Sequence, residues 1–212
     1  MRWLMFTACF FVCLVKGSSS DIAPSQTLRT IIARYGHTDK DTWHSYVDSY
    51  EKLLEPFKNK ACNVLEIGVF EGGSAILWHE YLPQSQLVLV DIQNRIAPKI
   101  QIAMDPKRWN LHIRDAYRED TVAELQKKWP EGFDVIIDDG PHSLDSQIFV
   151  IESYLKLLKK GGVLVIEDIA LIDHISVLSA KIPAEQQLQV EIIDLRRLKN
   201  REDDVLFIVK KM

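Results

Sequence analysis

From Asn63 onward, short uninterrupted apolar runs alternate with longer stretches in which apolar residues recur every three or four positions. Such runs are too short for helices and too uniformly apolar for half-buried strands, so they predict strands covered on both faces, as in a parallel sheet. The pattern places strands at residues 63–67, 86–90, 109–113, 133–137 and 163–166, with helices near 74–81, 96–103, 121–129 and 143–159. Two further strand-like runs, 188–195 and 205–209, are joined by the charged turn RRLKNREDD, which has no room for a crossover helix. Those two predict an antiparallel hairpin. The expected fold class is therefore α/β: a doubly wound, Rossmann-like seven-stranded sheet with five parallel strands and a C-terminal antiparallel hairpin.

Upstream of Asn63 the signals are helical. Ser25 is placed to cap a helix through Tyr35 that ends at Gly36, and Thr42 to open a second one with Tyr46, Tyr50, Leu53 and Leu54 on one face. Between them YGHTDKDTWHSY, residues 35–46, reads as a polar, aromatic loop. Arg2 precedes an uncharged apolar run from Trp3 to Val15 followed by KGSSS, the pattern of a secretory signal or a short anchor. The expected organisation is a leader at 1–20, a helical cap at 21–60 and the α/β domain at 61–212. A functional leader implies the secretory pathway, and a start further along the chain implies the cytoplasm.

Composition narrows the function classes. The chain has 212 residues, 47% of them hydrophobic, enough for one domain with a full core. The 26 basic and 30 acidic residues give a net charge of −4 with no block of like charge, so a basic nucleic-acid surface is not expected. Cys9 and Cys13 lie in the apolar leader and leave Cys62 alone in the body, which excludes a disulfide framework or a cysteine metal site there.

The chemistry gathers where strands are predicted to end. The runs at 135–137 and 163–166 each finish in a pair of acids, Asp138-Asp139 and Glu167-Asp168, with His142 close behind the first pair. A β-α-β unit brings the carboxyl ends of two such strands to one rim, the ligand crevice of open parallel sheets. Four carboxylates meeting there repel one another unless a cation sits among them, so a divalent metal is expected. Adjacent residues leaving a strand point in opposite directions. Asp138 is therefore assigned to the cofactor side or to loop support, and Glu167 and Asp168 can both ligate only if the chain has left strand geometry at Ile166.

The first strand runs into Glu66-Ile67-Gly68-Val69-Phe70-Glu71-Gly72-Gly73-Ser74, a glycine turn that lets a ligand approach the backbone at a helix start. Its spacing is not the GxGxxG fingerprint, which disfavours a nicotinamide-dependent oxidoreductase. Asp91 ends the second strand where an acid receives the hydroxyls of a ribose. Asp115, after the third, is placed to accept from an adenine amino group.

Together LEIGVFEGGSAILW, LVLVDIQ, DVIIDDGPHS and GGVLVIEDI resemble class I S-adenosylmethionine-dependent methyltransferases, most closely the metal-dependent sugar O-methyltransferases of the macrocin and mycinamicin type, and YGHTDK is similar to that group as well. The resemblance implies that Glu66, Gly68 and the turn through Gly72 and Ser74 hold the methionine part of S-adenosylmethionine, Asp91 its ribose, and Asp115 with Ala116 its adenine. It implies that Asp139, Glu167 and Asp168 ligate Mg²⁺ and that His142 is the general base. The expected acceptor is a sugar hydroxyl on a glycan or a glycosylated small molecule. A catechol or phenolic O-methyltransferase and a non-catalytic relative are the alternatives, and an oligomer is compatible with either. His37, Lys40, His44 and Tyr46 are second-rank candidates for closing over the site, and Asp173 and His174 lie where acceptor-selecting residues often sit.

Overall fold

A computed structural model describes residues 26–36, 38–184 and 187–212. The leader at 1–20, Ser25 and His37 lie outside the described residues. In chain order the elements are α1 (Leu28–Tyr35), α2 (Asp39–Thr42), α3 (Val47–Leu54), β1 (Cys62–Ile67), α4 (Gly73–Tyr81), β2 (Ser85–Asp91), α5 (Pro98–Ala103), β3 (Trp109–Ile113), α6 (Glu119–Lys128), β4 (Phe133–Asp138), α7 (Leu144–Tyr154), β5 (Leu158–Ile166), α8 (His174–Ala180), β6 (Leu188–Asp194), α9 (Arg196–Lys199) and β7 (Val205–Lys211).

The strands form one sheet in the order β3-β2-β1-β4-β5-β7-β6. Strands β1 to β5 pair in parallel, and β7 runs antiparallel to both β5 and β6. The expected fold class is the observed one. Alternation along each strand builds two cores. Val64, Leu87, Leu89, Val135, Ile137, Val163 and Val165 face α1, α3, α4 and α5, while Leu65, Ile67, Val88, Val90, Ile136, Leu164 and Ile166 face α6, α7 and α8. This is why the strands read as unbroken apolar runs: each side chain is buried on one face or the other. The order reverses at β1, which lies between β2 and β4, so the crevice of the sheet opens between β1 and β4.

Several local readings are corrected. The helix expected to reach Lys159 ends at Tyr154, and one 3₁₀ turn at Leu155–Leu157 leads into β5 at Leu158. Leu157 and Leu158 are both buried, so hydrophobicity alone carried no boundary, and Gly161-Gly162 lie inside the strand rather than capping a helix. The stretch 35–46 is not all loop, because Thr38 caps α2 by accepting from the backbone N–H of Lys40. The helix expected from Thr42 starts at Val47, and the turn between β6 and β7 holds the short helix α9. Among the described residues no helix is long and apolar enough to cross a membrane.

Gly68 joins β1 to the site. Its φ is +81°, and a Cβ there would lie 1.9 Å from the backbone oxygen of Asp139. Only glycine lets the β1 turn pass this close to the end of β4. Gly68→Ala is expected to lower stability by roughly 2–4 kcal/mol through forced backbone displacement, read as a fall in urea midpoint with an unchanged m-value.

Candidate active site

Strand β5 ends at Ile166, and Asp168 adopts φ +56°, a left-handed conformation that a side chain rarely takes. The chain has thus left strand geometry where the two acids required it, and Glu167 and Asp168 turn toward a common centre. His142 is held at φ +55° in the loop after β4 and Phe70 at φ +47° in the turn after β1. Three of the four non-glycine residues with positive φ among those described therefore sit at this rim. Clustered backbone strain of this kind marks functional sites.

Asp139, His142 and Asp168 offer ligand atoms that all lie within 4.8 Å of one another. His142 Nε2 is 3.5 Å from Asp168 Oδ2 and 3.8 Å from Asp139 Oδ1. The two carboxylate oxygens suit a hard divalent cation, for which an imidazole nitrogen is the weaker partner. Glu167 is placed differently from the expectation. Its Oε2 accepts from Lys40 Nζ at 2.8 Å and its Oε1 from the Tyr50 hydroxyl at 2.5 Å, so both oxygens are engaged within the protein. Lys40 Nζ also donates to Asp139 Oδ2 at 2.7 Å, and the Tyr46 hydroxyl to Asp168 Oδ1 at 2.6 Å.

Lys40, His44 and Tyr46, second-rank candidates on sequence, thus lie at the heart of the cluster. Lys40 is 1% exposed. Burial alone would lower its ammonium, but Asp139, Glu167 and Asp39 outweigh that and hold it well above its ordinary value. His44 stacks on the Tyr46 ring at 4.8 Å, with its Nδ1 3.2 Å from Asp168 Oδ1. Tyr50 was read only as an apolar-face residue. The signal that points to it is the polar tip on an otherwise buried helical stripe, which must find an acceptor.

Beside the cluster a cleft of about 520 Å³ opens at the β1/β4 switch point. Gly68, Asp91, Asp115 and Ala116 line it together with Asp139 and His142. Asp91 Oδ2 accepts the backbone N–H groups of Val69 and Phe70, and its Oδ1 that of Gln93, so this carboxylate also shapes the glycine turn. Sequence reasoning missed Phe70, Arg95 and Tyr117, which line the same cleft. An aromatic directly after Asp115-Ala116 was the available sign for Tyr117.

Four expected cofactor residues do not line the cleft. Glu66 faces α3 and α4, fully buried, with Oε1 accepting from Trp78 Nε1 at 3.0 Å and Oε2 unbonded. Asp138 points to the opposite face of the sheet, where the Tyr117 hydroxyl donates to it. Gly72 caps α4 against Ile96 and Ile100, and Ser74 is buried in the first turn of that helix. Strand alternation turns Asp138 to the face opposite Asp139, whereas Glu66 lies two residues deeper along β1 than Gly68, under the rim. Asp173 and His174 open α8, beyond the lining residues of the cleft.

Residues 65–169 match the family model described as a methyltransferase domain. The chain has the class I methyltransferase fold. The chain is 27% identical over 152 residues to the 8-demethyl-8-alpha-L-rhamnosyl tetracenomycin-C 2'-O-methyltransferase of Streptomyces olivaceus, covering 67% of this chain and 37% of that protein. It is 24% identical over 149 residues to the demethylmacrocin O-methyltransferase of Streptomyces fradiae, covering 67% of this chain and 36% of that protein. The chain therefore spans little more than a third of the length of these two relatives. Among solved structures, the methyltransferase MycE from the mycinamycin biosynthetic pathway, in complex with Mg, SAH and mycinamycin VI, superposes with a TM-score of 0.69 at 18% identity, over 89% of this chain and 54% of that chain. That likeness is one of fold.

Glu66 yields a pH-dependent expectation. Burial pushes its carboxyl up to about 7, against the pull of Lys40 and the Trp78 hydrogen bond. Because the folded-state value lies above the unfolded one, the native state keeps a proton that the unfolded chain gives up, and stability falls as pH rises toward 7. Glu66→Gln removes this cost. Urea denaturation is expected to show it gaining about 1–3 kcal/mol over the parent between pH 5 and pH 8.

Proposed function

We propose that this chain is an O-methyltransferase that moves a methyl group from S-adenosylmethionine to a sugar hydroxyl of a glycosylated small molecule or glycan, with Mg²⁺ bound at the acid cluster. The observation that carries the reading is one shared wall: Asp139 and His142 line the cleft that also holds Gly68, Asp91, Asp115 and Ala116. The residues that would hold the donor share this one cleft with Asp139, which would hold the cation. The named activities of the two curated relatives, both O-methyltransferases and one of them acting on a rhamnosyl compound, support the acceptor class.

The residues present fit both groups. Gly68 lines the cleft with bare backbone, Asp91 and Asp115 offer carboxylate oxygens for ribose hydroxyls and an adenine amino group, and Ala116 provides an apolar wall. S-adenosylmethionine supplies an activated methyl group on its sulfonium. Asp139 and Asp168 are the residues that would hold Mg²⁺, a hard cation that acidifies a hydroxyl bound to it and keeps positions for water or substrate. His142 Nε2, 3.5 Å from Asp168 Oδ2 and one-third exposed toward the cleft, takes the acceptor proton. Tyr46 and Lys40 fix the rear oxygens of Asp168 and Asp139, so the front oxygens stay turned toward His142. Orientation and charge stabilisation are the protein's main contributions.

Purified protein incubated with isotopically labelled S-adenosylmethionine and a panel of glycosylated acceptors is expected to transfer label, to stop on addition of EDTA and to resume with excess Mg²⁺. Transfer that ignores EDTA would contradict the metal's part while leaving the class intact. His142→Ala is expected to reduce turnover by about 10²- to 10⁴-fold with the dissociation constant for S-adenosylhomocysteine almost unmoved. A comparable loss of cofactor affinity would place His142 outside the proton-transfer role.

A further inference from the structure

Lys40 lies upstream of the matched family residues 65–169, yet its ammonium occupies the inner half of the acid cluster. Three carboxylates meet there, Asp139, Glu167 and Asp168, and Lys40 bonds the first two through their rear oxygens. Tyr50 takes the remaining oxygen of Glu167 and Tyr46 the rear oxygen of Asp168. The oxygens left facing His142 are Asp139 Oδ1 and Asp168 Oδ2.

Lys40 is carried by an anchored backbone. Its segment is strapped from the far end of the chain: Lys199 Nζ donates to the backbone oxygens of Asp41 and His44, and the Arg201 guanidinium lies 5.2 Å over the Trp43 ring. Ser45 N–H is tied to Asp204 at 3.0 Å. An ammonium pinned on Glu167 Oε2 repels a divalent cation from that oxygen, and the Tyr50 hydrogen bond on Oε1 makes this carboxylate a poorer ligand than one with an unbonded oxygen facing the cation.

We propose that Lys40 is a positioning residue that withholds Glu167 from the divalent cation and confines that cation to the outward oxygens of Asp139 and Asp168 beside His142. Counted this way, three carboxylates less one ammonium leave two negative charges, which a divalent ion balances. This assignment rests on the metal reading above and departs from an Asp-Glu-Asp ligand set.

Mn²⁺ titration of the full chain, followed by the electron paramagnetic resonance signal of the free ion, tests it without reference to turnover. Wild type is expected to bind Mn²⁺, Glu167→Gln to keep its affinity within about threefold, and Asp168→Asn to lose more than about tenfold. Lys40→Met, which releases Glu167, is expected to bind Mn²⁺ at least about tenfold more tightly. The double variant K40M/E167Q is expected to return to within about threefold of wild type. Lys40→Met alone leaves a buried carboxylate without its counter-ion and risks unfolding; the double variant removes both charges and, with Glu167→Gln, carries the test by itself. A loss of more than about tenfold in Glu167→Gln or in the double variant overturns the proposal while sparing the metal site. Failure of wild type to bind Mn²⁺ at millimolar concentration overturns both.

Discussion

A single buried ammonium holds the working end of this molecule together. Lys40 arrives from the N-terminal helical segment and is bonded to acids at the ends of β4 and β5, elements about a hundred residues and more away in sequence. Breaking one partner of such a pair leaves an uncompensated charge in a dry interior and costs about 3–5 kcal/mol. The geometry explains why the segment from α1 to α3 is part of the domain's core rather than a detachable cap: Leu28, Ile31, Tyr46, Val47, Tyr50 and Leu54 bury against the sheet, and the same helix that supplies this apolar face supplies the hydroxyl for Glu167.

Around that ammonium the site is arranged in two depths. The inner depth is polar but dry: Glu66, Glu167, Tyr50 and Lys40 are all essentially inaccessible. The outer depth is open to the cleft through Asp139 and His142. Each outward carboxylate has one oxygen fixed from behind and one free in front, which is how outer partners orient a ligand without competing for it. The strained backbone at Phe70, His142 and Asp168 belongs to the same design, since each kink rotates a side chain off the strand direction at about 1–3 kcal/mol. The two faces of apolar packing beneath are what sustain that strain.

The cleft and the acid cluster share Asp139 because β1 and β4 are neighbours at the point where the strand order reverses. Gly68 and Asp139 touch through their backbones across this seam. The cleft and the acid cluster are therefore not two sites joined by a loop but two slopes of one seam, and a displacement of the β1 turn is felt by both. Asp91 adds a second tie, since it fastens the same turn to the end of β2.

How much of this was legible before any coordinates can be traced residue by residue. Strand and helix alternation, the closing hairpin and the acids at 91, 115, 139 and 168 followed from local pattern, because two-sided burial writes an unbroken apolar run and strand ends collect ligands in a parallel sheet. Asp138 turns to the face opposite Asp139 and Glu66 lies two residues below Gly68, neither of which local pattern distinguishes, and the end of α7 was misread through a pair of leucines buried in both conformations. Lys40 and Tyr50 could be named as residues but not assigned partners. Local sequence carries periodicity, and periodicity tells which face a residue occupies; which charge from one end of the chain neutralises which carboxylate from the other is a property of long-range packing, and that the tertiary structure alone decided.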